Sequence, residues 1–232
     1  MTPATLLLRV EGPLQSWGTA SPFDVRDSGR EPSKSGIIGL LCAALGRPRT
    51  EPVDDLASLS MGVRIDAAGS IIADFHTAGG GHERGVPTAS GARGRTVITR
   101  RMYLQDAAFL VGLFGASERL EVLAEAVRGP VWPLCLGRRA CVPSRPLVDE
   151  DSLVSLPLLD ALTGAPWEER PRTVTPGELE VLLETRPDEG AGLRNDQPLG
   201  AAFLHRSFGP RYVRSVFVPV TEVQPGPGAS LA

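Results

Sequence analysis

Apolar residues recur along this chain in two different spacings, and the switches between them mark its elements. Thr5–Val10 is a short Leu-rich run closed by Glu11-Gly12-Pro13, the pattern of a buried first strand. Gly12–Pro32 scatters Gly, Pro, Ser and Asp at short intervals and reads as a long loop. From Pro32-Ser33 the period becomes helical. Ile37, Leu40, Leu41, Ala44 and Leu45 follow i, i+3, i+4, i+7, i+8, and Gly46 and Pro48 stop the run. A second helix starts with Ser117 as N-cap and Glu118 in the first turn. Its stripe is Leu120, Leu123, Ala124 and Val127, Arg128 suits the negative end, and Gly129-Pro130 ends it.

Strand-like pieces lie between the helices. Val63 and Ile65 alternate with Arg64 and Asp66, then Ala68-Gly69-Ser70 turns the chain into Ile71–His76. Thr96–Tyr103 and Ala108–Phe114 follow. The order strand, helix, strands, helix, strand predicts an α+β fold with a ferredoxin-like βαββαβ core and a long insertion in its middle. Tyr212–Val220 is a late β-branched run that adds to a sheet. Asp149–Glu189 is acidic and Pro-rich and fits neither period, and Gln224–Gly228 has the composition of a disordered tail. The expected organisation is a domain over 1–148 with its insertion at about 77–101, an extension over 149–222 packed on it, and a tail over 223–232.

Of the 232 residues, 42% are apolar, enough for a packed core. No apolar run approaches the roughly 18 residues of a membrane span. The N-terminus lacks a basic region and has an apolar run of only Leu6-Leu7-Leu8, so neither a membrane nor a secretory destination is expected. Cys42, Cys135 and Cys141 form no CxxC pair and are odd in number, which points to a reducing cytoplasm.

A net charge of −3 argues at first against a nucleic-acid partner, but its distribution reverses that. Residues 149–190 carry eleven acids against three arginines, a local −8 that leaves +5 on the rest. Arg supplies 23 of the 24 basic residues and Lys34 is the remaining one. A GC-rich coding sequence explains such a bias, although Arg also suits bidentate phosphate contact and stacking on bases.

Three stretches carry candidate chemistry. Gly29–Gly36 has the flavour of a phosphate loop. It holds Ser33 and Ser28 where a P-loop needs glycines, so nucleotide hydrolysis is excluded. A helix N-terminus with Ser33 and Ser35 flanking Lys34 still suits an anion, RNA phosphate included. Plain N-capping with a solvated Lys34 suits the same residues. In residues 77–101, Arg84, Arg93, Arg95, Arg100 and Arg101 face one acid, Glu83, among many glycines. That is the composition of a basic finger that orders on nucleic acid, or of a solvated hairpin. Gly129–Val148 holds Arg138, Arg139 and Arg145 and no acid. Trp132 there can stack on a base, though a Trp beside Pro133 is more often packed. His76, His82 and His205 pair with no Cys at a zinc spacing, so neither metal nor cofactor is expected. Metal-free RNA cleavage by His76, helped by Tyr103 or Lys34, stays open as an alternative, since spacing says nothing about convergence.

Leu7-Leu8-Arg9-Val10-Glu11-Gly12-Pro13-Leu14-Gln15-Ser16-Trp17-Gly18 and Pro32-Ser33-Lys34-Ser35-Gly36-Ile37-Ile38-Gly39-Leu40-Leu41 resemble the opening and first helix of the Cas-five family, RAMP-superfamily proteins of CRISPR surveillance complexes. Phe75-His76-Thr77, Leu136–Cys141 and Arg145-Pro146-Leu147 are similar to that family in the same order, with weaker echoes at Arg194-Asn195-Asp196 and Arg206–Val213. Residues 149–190 match poorly. The resemblance implies an RRM-like core with a protruding β-hairpin thumb. It implies a non-catalytic subunit of a type I-E Cascade that caps the 5′ handle of the crRNA. It also implies docking to the backbone subunit CasC and the large subunit CasA, with target DNA met at most indirectly. The expected RNA-binding residues are Trp17, Arg26, Arg30, Ser33, Lys34, Ser35, His76, Arg84, Arg93, Arg95, Arg100, Arg101, Arg138, Arg139 and Arg145. Relatives of another subtype cleave RNA, which keeps the endoribonuclease alternative in play.

Overall fold

The computed structural model of the chain describes residues 2–19, 25–79, 86–87, 93–94, 96–168, 176–189 and 192–223. The first half runs β1 (Pro3–Glu11), β2 (Leu14–Gln15), β3 (Val25–Arg26), α1 (Lys34–Leu45), α2 (Asp54–Ala57), β4 (Ser60–Ala67), β5 (Ser70–Ala78), β6 (Val86–Pro87), β7 (Arg93–Gly94), β8 (Val97–Gln105) and β9 (Ala108–Ala116). Then come α3 (Ser117–Arg128), β10 (Leu153–Val154), α4 (Leu158–Gly164), β11 (Glu178–Thr185), β12 (Gly192–Pro198), α5 (Ala202–His205) and β13 (Phe208–Pro219).

Local sequence explains both long helices. Ser33 caps α1, its Oγ accepting the Gly36 N–H at 3.3 Å. Gly46 closes the helix in the left-handed region at φ 70°, and the N–H groups of Val131 and Trp132 then donate to the carbonyls of Ala44 and Ala43. α3 buries the expected Leu120, Leu123, Ala124 and Val127. Its N-cap is Ala116, without a side-chain bond, and Ser117 is the first helical residue, so the cap lies one position earlier than the sequence reading put it.

Seven strands form the main antiparallel sheet in the order β10-β1-β9-β4-β11-β13-β12. One face packs on α1 and α3 through Leu6, Leu8, Val10, Val111, Leu113 and Leu182. The other face packs on α4 and Trp167 through Leu7, Leu110, Val181 and Leu183. Gly62 and Gly112 pair across β4 and β9, and a Cβ on either would sit 2.7 Å from Leu162 or Leu158, so these two glycines let α4 lie directly on the sheet.

Burial on both faces also encloses a charged side chain. Arg64 alternates with apolar residues yet is fully buried. It pairs with Asp66 at 2.6 Å and donates to the carbonyls of Leu162, Ala165 and Pro166. Alternation signalled two faces, but α4 covers the one that period-two patterning assigns to water. Residues 149–190, left without assignment by pattern, supply β10, α4 and the interior strand β11. The stretch 12–32 includes the two short strands β2 and β3.

A second sheet is built on β8. β5 pairs antiparallel along one side of it, while β2 and β3 pair with it at Leu104–Gln105 and Arg100–Arg101. The expected tail over 223–232 lies outside the described residues apart from Val223. Among the described residues no helix is long and apolar enough to cross a membrane.

The fold also ranks the thiols. Cys42 is buried in α1, where desolvation pushes its pKa up to about 11. Burial likewise raises Cys141, and Cys135 is part-exposed. Since the thiolate is the reactive species, an alkylating reagent at mildly alkaline pH is expected to modify Cys135 first and the other two only after denaturation. Peptide mass spectrometry over time reads this directly, and equal labelling rates would contradict the packing.

Candidate nucleic-acid interface

The N-terminus of α1 holds an anion, and that anion belongs to the chain itself. Asp196, carried in by β12, accepts the Lys34 N–H at 2.8 Å. The same carboxylate takes both Nε and Nη2 of Arg211 at 2.8 Å. Lys34 is 1% exposed, and its ammonium donates to the two oxygens of Glu184 at 3.0 and 2.9 Å. Glu184 also accepts the Met61 N–H at 3.0 Å. Burial is the main cause that lowers the Lys34 pKa, and the Glu184 carboxylate works against it. Two cations and two carboxylates thus satisfy one another across α1, β4, β11, β12 and β13. The groups expected to face a phosphate at Ser33, Lys34 and Ser35 thus have partners within the chain. Ser33 is buried as a cap, Ser35 Oγ points to Ser33 Oγ at 3.5 Å, and the helix dipole is already met.

Trp17 is likewise internal, at 1% exposure. Its Nε1 donates to Gln15 Oε1 at 2.8 Å, and its ring lies against Gly36, where a Cβ would come within 2.8 Å of it. It shapes the core under α1 and presents no face to a ligand. Trp132 is the reverse case, 45% exposed where packing was the commoner expectation.

The Gly137-Arg138-Arg139 turn divides its two arginines. Gly137 sits at φ 91° against the Ser16 carbonyl, where no Cβ fits. Arg138 then reaches inward, lying 4.8 Å over the Tyr103 ring and donating to the carbonyls of Met102, Arg26 and Asp27. It clamps β3 and the following turn onto β8. Arg139 is exposed and has no ion-pair partner among the described residues. Arg145 is held by both oxygens of Glu168 at 3.0 Å, and Arg101 donates to Thr99 Oγ1 at 3.1 Å. His76 lies 3.5 Å from Asp74.

Arg26, Arg30, Arg100 and Arg139 remain exposed and unpaired among the described residues. Arg26 and Arg100 lie on the paired strands β3 and β8, and Arg139 follows Arg138, which bonds the backbone of Arg26 and Asp27. Arg84 and Arg95 fall outside the described residues, and of Arg93 only its backbone on β7 is described. Cations of this density at the root of an arginine-rich segment suit a polyanion.

A family model described as CRISPR-associated protein (Cas_Cas5) matches residues 5–214. The chain belongs to the Cas5 family. It is 35% identical over 161 residues to the CRISPR system Cascade subunit CasD of Escherichia coli (strain K12), covering 61% of this chain and 68% of that protein. Two solved structures are also similar, each with a TM-score of 0.76. One, a crystal structure of a Cas protein, is 43% identical and covers 96% of this chain and 99% of its own. The other, from a CRISPR RNA-guided surveillance complex, is 37% identical and covers 97% and 95%. In this Cas5 chain the opening motif is a packing motif, with Gln15, Trp17 and Gly36 meeting under α1. Sequence reading missed Glu184, Asp196 and Arg211, which sit in stretches that matched weakly or not at all.

Proposed function

We propose that this Cas5 chain is a non-catalytic RNA-holding subunit of a type I-E CRISPR surveillance complex. In this reading it grips the 5′ handle of the crRNA and docks the backbone and large subunits in a bacterial cytoplasm. The observation that carries it is that Arg26, Arg30, Arg100 and Arg139 are exposed and without an ion-pair partner among the described residues, with Arg84, Arg93 and Arg95 in the segment between β5 and β8. The names borne by the similar E. coli protein and by the similar surveillance complex support the same reading. A ferredoxin-like core is supported by the order β10-β1-β9-β4, which with α1 and α3 follows the 4-1-3-2 arrangement of a βαββαβ unit. A thumb is supported by the β5–β8 ladder, which runs out to Ala78 opposite Val97 before the arginine-rich segment.

The metal-independent endoribonuclease reading rests on His76 beside Asp74. It is weakened because its helpers are occupied, Lys34 by Glu184 and Tyr103 beneath Arg138. Cleavage that survives EDTA and vanishes in His76→Ala would restore it.

The test is purification of the tagged chain from a host carrying a CRISPR array, with sequencing of the RNA that follows it. Short RNAs sharing one 5′ end are expected. Arg139→Ala, and Arg26→Ala with Arg30→Ala, should weaken RNA retention, each lost phosphate contact flattening the salt dependence by about 0.7 in log–log slope. Arg138→Ala should act differently, lowering thermal stability through the loss of its three backbone bonds. Recovery of the chain with no RNA would sink the reading.

A further inference from the structure

The small sheet carries an outward face on which Arg100 stands among exposed apolar side chains. Phe75 on β5, Arg100 on β8 and Val25 on β3 stand in one register row, and directly paired residues project to the same side. All three are exposed, Phe75 to 65%. The next row, Thr77 opposite Ile98, is exposed as well. On the opposite face Thr99 and Tyr103 are buried, Tyr103 beneath Arg138. Among the described residues no acid is paired with Arg100 on the open face, since Asp74 pairs in register with Arg101 and projects to the other side.

A bare Phe ring flanked by an unpaired Arg and aliphatic side chains is a poor surface for water and a good one for a nucleotide. The ring and the Ile98 methyls give a flat apolar platform, and the guanidinium supplies charge at phosphate distance. A protein partner with an acidic apolar segment would satisfy the same side chains less fully, because nothing in it matches the flat ring face. Resting on the RNA-holding reading above, we infer that Phe75 stacks on an unpaired base of the bound RNA while Arg100 contacts the adjoining phosphate. The site is sequence-tolerant, because every base offers a π-face.

The probe is an unstructured single-stranded RNA carrying 4-thiouridine, titrated by fluorescence anisotropy against the full chain and then photo-crosslinked. Phe75→Ala should weaken binding about 5- to 150-fold, the range of one base–aromatic stack, with an unchanged salt slope. Phe75→Trp should restore it. Arg100→Ala should instead flatten the slope by about 0.7. The crosslinked peptide should contain Phe75. Since the ring is exposed, Phe75→Ala should melt as the wild type does. Wild-type affinity in Phe75→Ala, with Arg139→Ala still impaired, overturns the stacking site and leaves RNA binding intact. Loss of co-purifying protein without loss of RNA affinity makes the face a protein contact and overturns it too. No RNA binding by the unaltered chain brings down the broader reading instead.

Discussion

Asp196→Ala is expected to cost about 3–5 kcal/mol of folding stability, the cost of breaking a buried ion pair from one side. Asp196 and Arg211 are both buried, and the carboxylate takes two guanidinium bonds and the Lys34 N–H, all at 2.8 Å. Its removal strands a guanidinium in the core and leaves a first-turn N–H of α1 without an acceptor. Lys34 feels the change as well. Arg211 lowers its pKa and Asp196 raises it, so loss of Asp196 leaves Glu184 alone to offset burial and Arg211. Asp196→Asn keeps an acceptor for the N–H and should fall between the two. Urea unfolding followed by tryptophan fluorescence measures the effect. A loss below about 1 kcal/mol in Asp196→Ala would mean that the four charged groups are solvated enough to do without one another.

Trp17→Ala should be comparably damaging, at about 3–5 kcal/mol for a buried aromatic truncated in a core. The ring fills the space that Gly36 leaves open at the start of α1, and its Nε1 satisfies Gln15 Oε1. The informative partner is Trp17→Phe. It retains most of the volume and strands the buried Gln15 acceptor, for about 1–3 kcal/mol. Below its melting temperature, that variant should hold RNA within about twofold of wild type, since a ΔΔG under ~0.4 kcal/mol is expected when no ligand contact is lost. Circular dichroism melting and RNA anisotropy on the same sample separate the two roles. A folded Trp17→Phe that no longer holds RNA would return Trp17 to the interface.

The candidate site was legible in part. Gly137-Arg138-Arg139 can be picked out as a candidate ligand-facing turn because Gly and adjacent arginines are visible locally. Which arginine faces outward depends on Tyr103 and on the carbonyls of Met102, Arg26 and Asp27, all at least 35 residues away in sequence. Lys34 misled for a related reason. The exception in an all-arginine chain looks like a ligand contact, but its carboxylate partner, Glu184, lies 150 residues on. Phe75 was visible only as part of a motif. Its exposure follows from its register opposite Arg100, which no local pattern encodes.

The sequence alone determined α1 and α3 to within a residue, along with the strands β1, β4, β5, β8 and β9 and the basic character of the central insertion. These depend on periodicity, capping residues and composition, which act over a few residues. Tertiary structure decided that β11 lies inside the sheet between β4 and β13, that Arg64 is buried under α4, and that α1 begins on the Asp196 carboxylate. It also decided which arginines stay exposed and without an ion-pair partner among the described residues. Charge becomes structural or functional according to the desolvation and the partners that distant segments bring to it, and neither exists until the sheet has closed around its two layers of helices.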